Sequence, residues 1–448
     1  MAIAGYTRAE FGEKLNTLVS PAQPIKSIEQ LCGRQKELDR IEKALFAAGR
    51  HIFIYGDRGV GKSSLAASAA SQHQSADAPY IDASCSPDAT FASVIANIAY
   101  QASKTSRLRT EGHRTSTSMD LKFLKRRTVQ ESRPNDLHSE IRSVIDAVEV
   151  LREVKSIHSG TPVVVVDEFD RMGSSTERSL FADLLKHLGD KAVGIKFIFT
   201  GVGRTLDELL GAHQSAIRQL ETIELPKLSW DARWDIARSA LGAFGIDIDQ
   251  RTCVRIAAVS DGYPYYVHLI TEKLLWCLFE REGEVKCAVW ADYQDALPVA
   301  IESISAEVKR PYESAISQRS GDYEEVLWST ADSEWLDRYL KDMYSSYEYV
   351  MKQIPDREPL NYGKYASRIR SLKGLACGSI LITGDRAGLY TYREKMLRGY
   401  VRMQAESHGI SLIGDQPKGE RQVIHVPARS RGYHGSSIPR GVHLGRRR

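Results

Sequence analysis

The octapeptide Gly56-Asp57-Arg58-Gly59-Val60-Gly61-Lys62-Ser63 satisfies every fixed position of the pattern G-x-x-x-x-G-K-[ST]. It stands between an apolar, β-prone stretch, His51 to Tyr55, and a segment of helical periodicity, Ser63 to Gln72. A strand, a glycine-rich turn and a helix in this order make a cradle for phosphate. The glycines let backbone N–H groups curl around phosphate oxygens, Lys62 reaches the β- and γ-phosphates, and the Ser63 hydroxyl ligates magnesium. Ser64 follows as the next residue of the loop-to-helix junction, so the whole run Gly56 to Ser64 is expected to bind ATP with magnesium.

A second element has to meet this loop, and Pro162 to Val166 followed by Asp167-Glu168 supplies it. Four consecutive valines, Val163 to Val166, suit a strand buried on both faces. An acid at the tip of such a strand holds magnesium through water, the role expected of Asp167, and a second carboxylate, Glu168, is placed to orient and deprotonate an attacking water. The bland alternative is two acids that merely end a strand. Asp170 and Arg171 read as solvated surface residues.

Further β-rich stretches, Tyr80 to Asp82, Lys196 to Thr200 and Glu221 to Leu225, alternate with helix-length amphipathic segments at Phe91 to Ala102, Leu137 to Val154 and Glu177 to Leu188. The alternation predicts an α/β core with a five-stranded parallel sheet. A helical pattern over 28–49 leads into the first strand. Residues 28–228 are thus expected to be a P-loop core after an N-terminal extension, 1–27, and to be interrupted at 103–136 by a basic, Ser/Thr-rich insertion. That insertion is either a solvated loop or a nucleic-acid or partner-binding one.

Strand signals then stop. Residues 229–305 read as a helical lid, with Trp230 to Leu241, Gln250 to Val259 and Tyr265 to Glu282 as its helices. Over 306–410 the pattern stays helical except at Ser379 to Tyr392, where two β-prone arms flank Gly384 to Gly388, a hairpin signal. The helix Asn361 to Lys373 before it puts Tyr365, Ile369 and Leu372 on one face and leaves Lys364, Arg368 and Lys373 on others. That order suggests a winged helix, either one that reads DNA or one used as a protein-docking module, with Arg386 at the wing tip and Arg393, Lys395, Arg398 and Arg402 adding positive charge behind it. Residues 411–448 read as a disordered basic tail, either a phosphate-binding polycation or a solubility tail.

The formal net charge is only +4, so affinity for nucleic acid has to come from these local segments rather than from the overall field. Six scattered cysteines without a C-x-x-C pair exclude a zinc ribbon and suit reduced thiols. The sequence offers neither a leader-like start nor an apolar run of membrane-spanning length, so a cytoplasmic protein without membrane association is expected.

The P-loop strand, the Asp-Glu strand, a fourth strand ending in Thr200 and the helical lid together resemble the AAA+ ATPases. The likeness is nearest to the branch of origin-recognition and replication-licensing initiators and their bacterial relatives. Gly33-Arg34, ahead of the P-loop, matches that branch's Gly-Arg motif, which implies contact with the base side of the nucleotide. Thr200 falls at the sensor-one position and is implied to touch the γ-phosphate or the water. An arginine finger for a neighbour's ATP is implied between the fourth and fifth strands, with Arg218 first and Arg204 second. One position departs from the pattern: the lid reads Gly262-Tyr263-Pro264-Tyr265-Tyr266-Val267-His268 where the family has Gly-x-x-Arg. Such a lid looks like that of STAND switch ATPases, and slow turnover is expected. His268 either substitutes near the phosphates or packs within the lid.

The resemblance therefore implies an ATP-hydrolysing AAA+ switch that assembles as a nucleotide-dependent homo-oligomer on DNA. The competing reading is a STAND-like signalling ATPase that recruits a protein partner.

Overall fold

Four valines that cannot face water set the centre of the sheet. In a computed structural model, β3 (Val163–Asp167) lies between β2 (Ile81–Ser84) and β4 (Lys196–Gly201), and Val163 to Val166 are at most 3% exposed. With β1 (His51–Tyr55) and β5 (Leu220–Glu224) the sheet has the order β2-β3-β4-β1-β5, parallel throughout. The structure describes residues 3–412 apart from 4, 26, 77, 113–136, 204–205, 207–217, 319–320, 385 and 387.

Side chains of successive strand residues point to opposite faces, and two cores follow from that alternation. Ile52, Ile54, Val163, Val165 and Ile198 face one core. Phe53, Val164, Val166, Phe197 and Phe199 face the other, which the helices Phe91–Gly112, Val144–Ile157 and Ser175–Asp190 cover. The first core runs without a break through the lid into the C-terminal elements.

Sequence periodicity located the five strands to within about two residues, but three helices differ from expectation. The pattern over 28–49 divides into a short 3-10 turn, Ile28–Gln30, and a helix, Gln35–Phe46. Gly33 causes the break, since it takes φ +70° with Ala232 packed where a Cβ would stand. The helix from Phe91 continues to Gly112 rather than ending at Ala102, because Ser103 to Gly112 contains no breaker before its last residue. The rest of the expected insertion, 113–136, lies outside the described residues, as does the tail beyond 412. The third helix starts at Val144, where the Ser143 hydroxyl accepts from the Asp146 amide and caps it.

The lid helices are Trp230–Gly242, Gln250–Val259 and Pro264–Glu280, joined by the short parallel pair β6 (Asp247–Ile248) and β7 (Cys287–Ala288). The N-terminal helix Arg8–Leu18 packs on them through Phe11, which stacks on Phe279 and meets Trp276 and Phe244. Helices Trp290–Ser303 and Ala306–Ile316 lead on to a unit of helix Tyr323–Ala331, strand β8 (Arg338–Tyr339), helices Leu340–Met351 and Tyr362–Ser371, the hairpin β9 (Leu381–Thr383) and β10 (Leu389–Tyr392), and helix Leu397–Ser407. β10 pairs antiparallel with both β9 and β8. The hairpin was legible in the sequence; two-residue β8 was not.

Helix Leu397–Ser407 does not present its arginines to solvent. Arg398 and Arg402 are 2% and 3% exposed and converge on Asp261 of the lid. Arg398 donates from Nε to Oδ2 at 2.8 Å and from Nη2 to Oδ1 at 2.5 Å, and Lys227 donates to Oδ2 at 2.8 Å. Burial opposes the Asp261 charge, but Arg402, Arg398 and Lys227 hold its pKa well below the usual carboxylate range. The same burial pushes Lys227 down to about 8 despite Asp261. The positive charge read as DNA-facing in this helix is therefore structural at Arg398 and Arg402.

Asp261→Asn should lower unfolding stability by about 3–5 kcal/mol at pH 7, because it leaves buried cations without their counter-charge. Urea denaturation of wild type and variant measures it. The stabilisation belongs to the ionised carboxylate, so the gap should hold above the ordinary carboxylate range and close as pH falls through the depressed pKa of Asp261.

Candidate nucleotide site

In a parallel sheet the carboxyl ends of all strands lie on one edge, and register decides which side chains meet there. Asp167 closes β3 opposite Ser84 of β2, and Thr200 lies beside Ile54 of β1. The phosphate loop leaves β1 at Tyr55, so Ser63, Asp167 and Thr200 come together at the same edge.

The loop curls back on itself at positions that exclude a side chain. A Cβ on Gly56 would stand 2.5 Å from the Leu225 carbonyl oxygen, and Gly59 has φ +82°. Gly61 takes the left-handed conformation ahead of helix Lys62–His73, which directs that helix's N-terminus into the loop. Lys62 donates from Nζ to the carbonyls of Gly56, at 3.1 Å, and Asp57, at 2.9 Å. Burial lowers its pKa, opposed by Asp170, Asp167 and Asp57.

Asp167 Oδ1 accepts from two hydroxyls, Ser63 Oγ at 2.9 Å and Thr200 Oγ1. Thr200 also accepts from the Glu168 amide at 3.1 Å, so one buried threonine fixes both acids. Glu168 takes φ +52°, an uncommon conformation for a residue with a side chain. Its carboxylate accepts from Arg171 at 2.7 Å. Arg171 is a surface residue, as read from sequence, and in addition pairs with Glu168; the i, i+3 spacing of the two was the available signal.

Arg34 is 4% exposed and donates from Nη2 to the Val60 carbonyl at 3.0 Å and the Pro226 carbonyl at 2.7 Å. It joins the phosphate loop to the segment after β5. Ser64 is tied away from the loop, its Oγ accepting from the Ile25 amide at 3.1 Å. Arg58 projects outward and pairs with Glu307 at 3.5 Å, both side chains being exposed.

His268 is 3% exposed, accepts on Nδ1 from the Ser20 amide at 3.4 Å, and burial pushes its pKa down to about 4. It is a neutral packing residue of the lid. Arg218 precedes β5, whose residue Leu220 pairs with His51 at the start of β1. It therefore lies at the opposite edge of the sheet, before the roughly 13 Å that separate Leu220 from the level of Tyr55 at about 3.3 Å per strand residue, and does not join its own chain's site. Arg204 lies outside the described residues.

Among the described residues no group of three or more His, Cys, Asp and Glu side chains stands ready to hold a metal ion, and all six cysteines are unbridged. One carboxylate and one serine hydroxyl still fit magnesium, which keeps much of its shell as water and substrate phosphate. Among the described residues no helix is long and apolar enough to cross a membrane.

The AAA ATPase domain family matches residues 30–198. No curated protein matches the chain. Among solved structures, the Walker-type ATPase PABY2304 of Pyrococcus abyssi is similar at 16% identity and a TM-score of 0.50, covering 85% of this chain and 99% of its own. Cdc6p from Pyrobaculum aerophilum follows at 15% identity and 0.43, over 87% and 98%. The Aeropyrum pernix ORC1 protein, solved in complex with DNA, stands at 13% and 0.42, over 84% and 93%. The first of these likenesses establishes a shared fold and nothing about activity. The family match spans the phosphate loop, β3 and the first half of β4, so over residues 30–198 this chain is similar to the AAA ATPase domain family.

Proposed function

We propose that the chain binds ATP with magnesium at Gly56–Ser63, hydrolyses it slowly, and acts as a nucleotide-dependent switch that assembles on DNA. The observation that carries the hydrolytic reading is the shared acceptor at Asp167, where the Ser63 and Thr200 hydroxyls meet one carboxylate oxygen with Glu168 next in the chain. Magnesium would be held by Ser63 and Asp167 and would neutralise charge on the β- and γ-phosphate oxygens. Glu168, oriented by Arg171 and by its amide bond to Thr200, is the residue to take a proton from the attacking water. Arg34 acts on the base side by fixing Val60 rather than through a free guanidinium. Arg218, remote from its own loop, suits a finger offered to a second copy.

For DNA we propose the unit of helix, strand, two helices and hairpin from Tyr323 to Tyr392 as a winged helix. Helix Tyr362–Ser371 buries Tyr365 and Ile369 and exposes Lys364, Ser367 and Arg370 along one face, with Arg386 exposed in the wing. Arg368 belongs to the fold instead, bonded to Asp322 at 2.7 and 2.9 Å.

Lys62→Ala should abolish ATP binding, and Glu168→Gln should bind ATP but lose turnover by two orders of magnitude or so, the scale of a general base (about 10²–10⁴). Equilibrium titration with a fluorescent ATP analogue and a phosphate-release assay read the two. Normal turnover by Glu168→Gln would remove Glu168 from the mechanism.

DNA binding by fluorescence anisotropy should require ATP and weaken with salt. Lys364→Ala/Arg370→Ala should weaken it and reduce the log–log salt slope by about 2. Binding that ignores both nucleotide and salt would refute the DNA-switch reading.

A further inference from the structure

The lid supplies no cation to the phosphates from the start of its third helix: no arginine opens Pro264–Glu280, and His268 is neutral and turned to Ser20. A cation reaches the loop from elsewhere. Lys395, in the turn between β10 and helix Leu397–Ser407, places Nζ 2.7 Å from Asp57 Oδ1 on the phosphate loop. The next residue, Met396, roofs Gly59, its sulfur lying 2.8 Å from where a Cβ there would stand, with the Tyr263 ring at 3.4 Å.

The turn is not a loose surface segment. Tyr266 donates from its hydroxyl to the Met396 carbonyl at 3.0 Å, and Gly399 admits the Tyr266 ring so closely that a Cβ would meet it at 2.6 Å. Arg398, three residues beyond Lys395, is anchored on Asp261. Glu394 lies in the same corner: burial raises its pKa, with Arg58, Asp57, Glu307 and Lys395 all acting on it. The buried Tyr263 hydroxyl, also in this corner, has no hydrogen-bond partner among the described residues.

Asp57 creates an electrostatic problem at this place. Its carboxylate is close enough to act on Lys62, the lysine that must meet the phosphates, so it opposes a polyphosphate in the loop. An ammonium beside it removes that opposition and is itself attracted to phosphate oxygens. The Lys395 side chain is 42% exposed, its carbonyl accepts from the Arg398 amide at 3.3 Å, and the next carbonyl, that of Met396, is held by Tyr266.

Resting on the ATP-binding reading above, we propose that Lys395 is a phosphate-facing cation of the nucleotide site, delivered by the C-terminal unit where a lid arginine is missing. A bound di- or triphosphate is then gripped by the core and by the C-terminal unit together, so occupancy of the loop is felt directly by the proposed DNA-binding part of the chain.

The test uses the full chain, magnesium, and fluorescent analogues of ATP, ADP and AMP. Lys395→Ala should weaken ATP and ADP binding by about tenfold, the scale of one charge-assisted hydrogen bond, while AMP changes much less and Lys395→Arg restores most of the affinity. The same loss should appear when Lys395→Ala is made in an Asp57→Asn background. A loss that vanishes in that background would reduce Lys395 to a partner of Asp57 and overturn the proposal, as would equal losses for AMP and ATP or no loss at all. Lys62→Ala separates the two readings: if wild type binds ATP no better than Lys62→Ala, the ATP reading itself fails and this one with it.

Discussion

One buried carboxylate holds three parts of the molecule in register. Asp261 stands at the end of a lid helix in a left-handed conformation, and it receives Lys227 from the segment after β5 and Arg398 and Arg402 from the last described helix. A carboxylate surrounded by that much positive charge has no acceptable neutral state, and the cations have no nearby alternative of equal strength. The arginines also donate to the carbonyls of Ser333, Trp335, Ala331 and Ala258, so the arrangement is saturated as well as paired. The lid, the end of the sheet and the C-terminal helix are thereby fixed as one body around the nucleotide edge.

The chemistry at that edge depends on strand register rather than on any long-range adjustment. Because β3 and β4 are in-register neighbours, Asp167 and Thr200 meet without a loop rearrangement, and Ser63 reaches the same oxygen from the first turn of its helix. Shifting β3 by a single residue would turn Asp167 to the other face of the sheet and take it away from Ser63 and Thr200. The pairing of β3 with β2 on one side and β4 on the other is what holds the acid in place.

The sequence carried the sheet and the phosphate loop because both depend on local signals: continuous apolar runs, glycines at fixed spacing, an acidic pair after a strand. It did not carry the meaning of charges whose partners lie far along the chain. Arg398 and Arg402 looked like surface arginines because Asp261 is more than 130 positions away, and Arg368 looked free until Asp322 was brought beside it. Arg34 carried a motif, but its carbonyl partners on Val60 and Pro226 could not be read from spacing. The N-terminal helix was missed for a related reason: its weakly amphipathic residues gain their partner, the Phe279 and Trp276 surface, only once the lid has folded.

That N-terminal segment also limits how the lid can travel. The Ser20 amide is bonded to His268 of the lid, and five residues later Ile25 is bonded through its amide to Ser64 and through its carbonyl to Ser68 of the phosphate-loop helix. Five residues of chain span at most roughly 17 Å when fully extended. While both ends stay attached, rotation of the lid away from the loop is bounded by the length of this strap, and any wider opening has to begin by breaking one of its anchors.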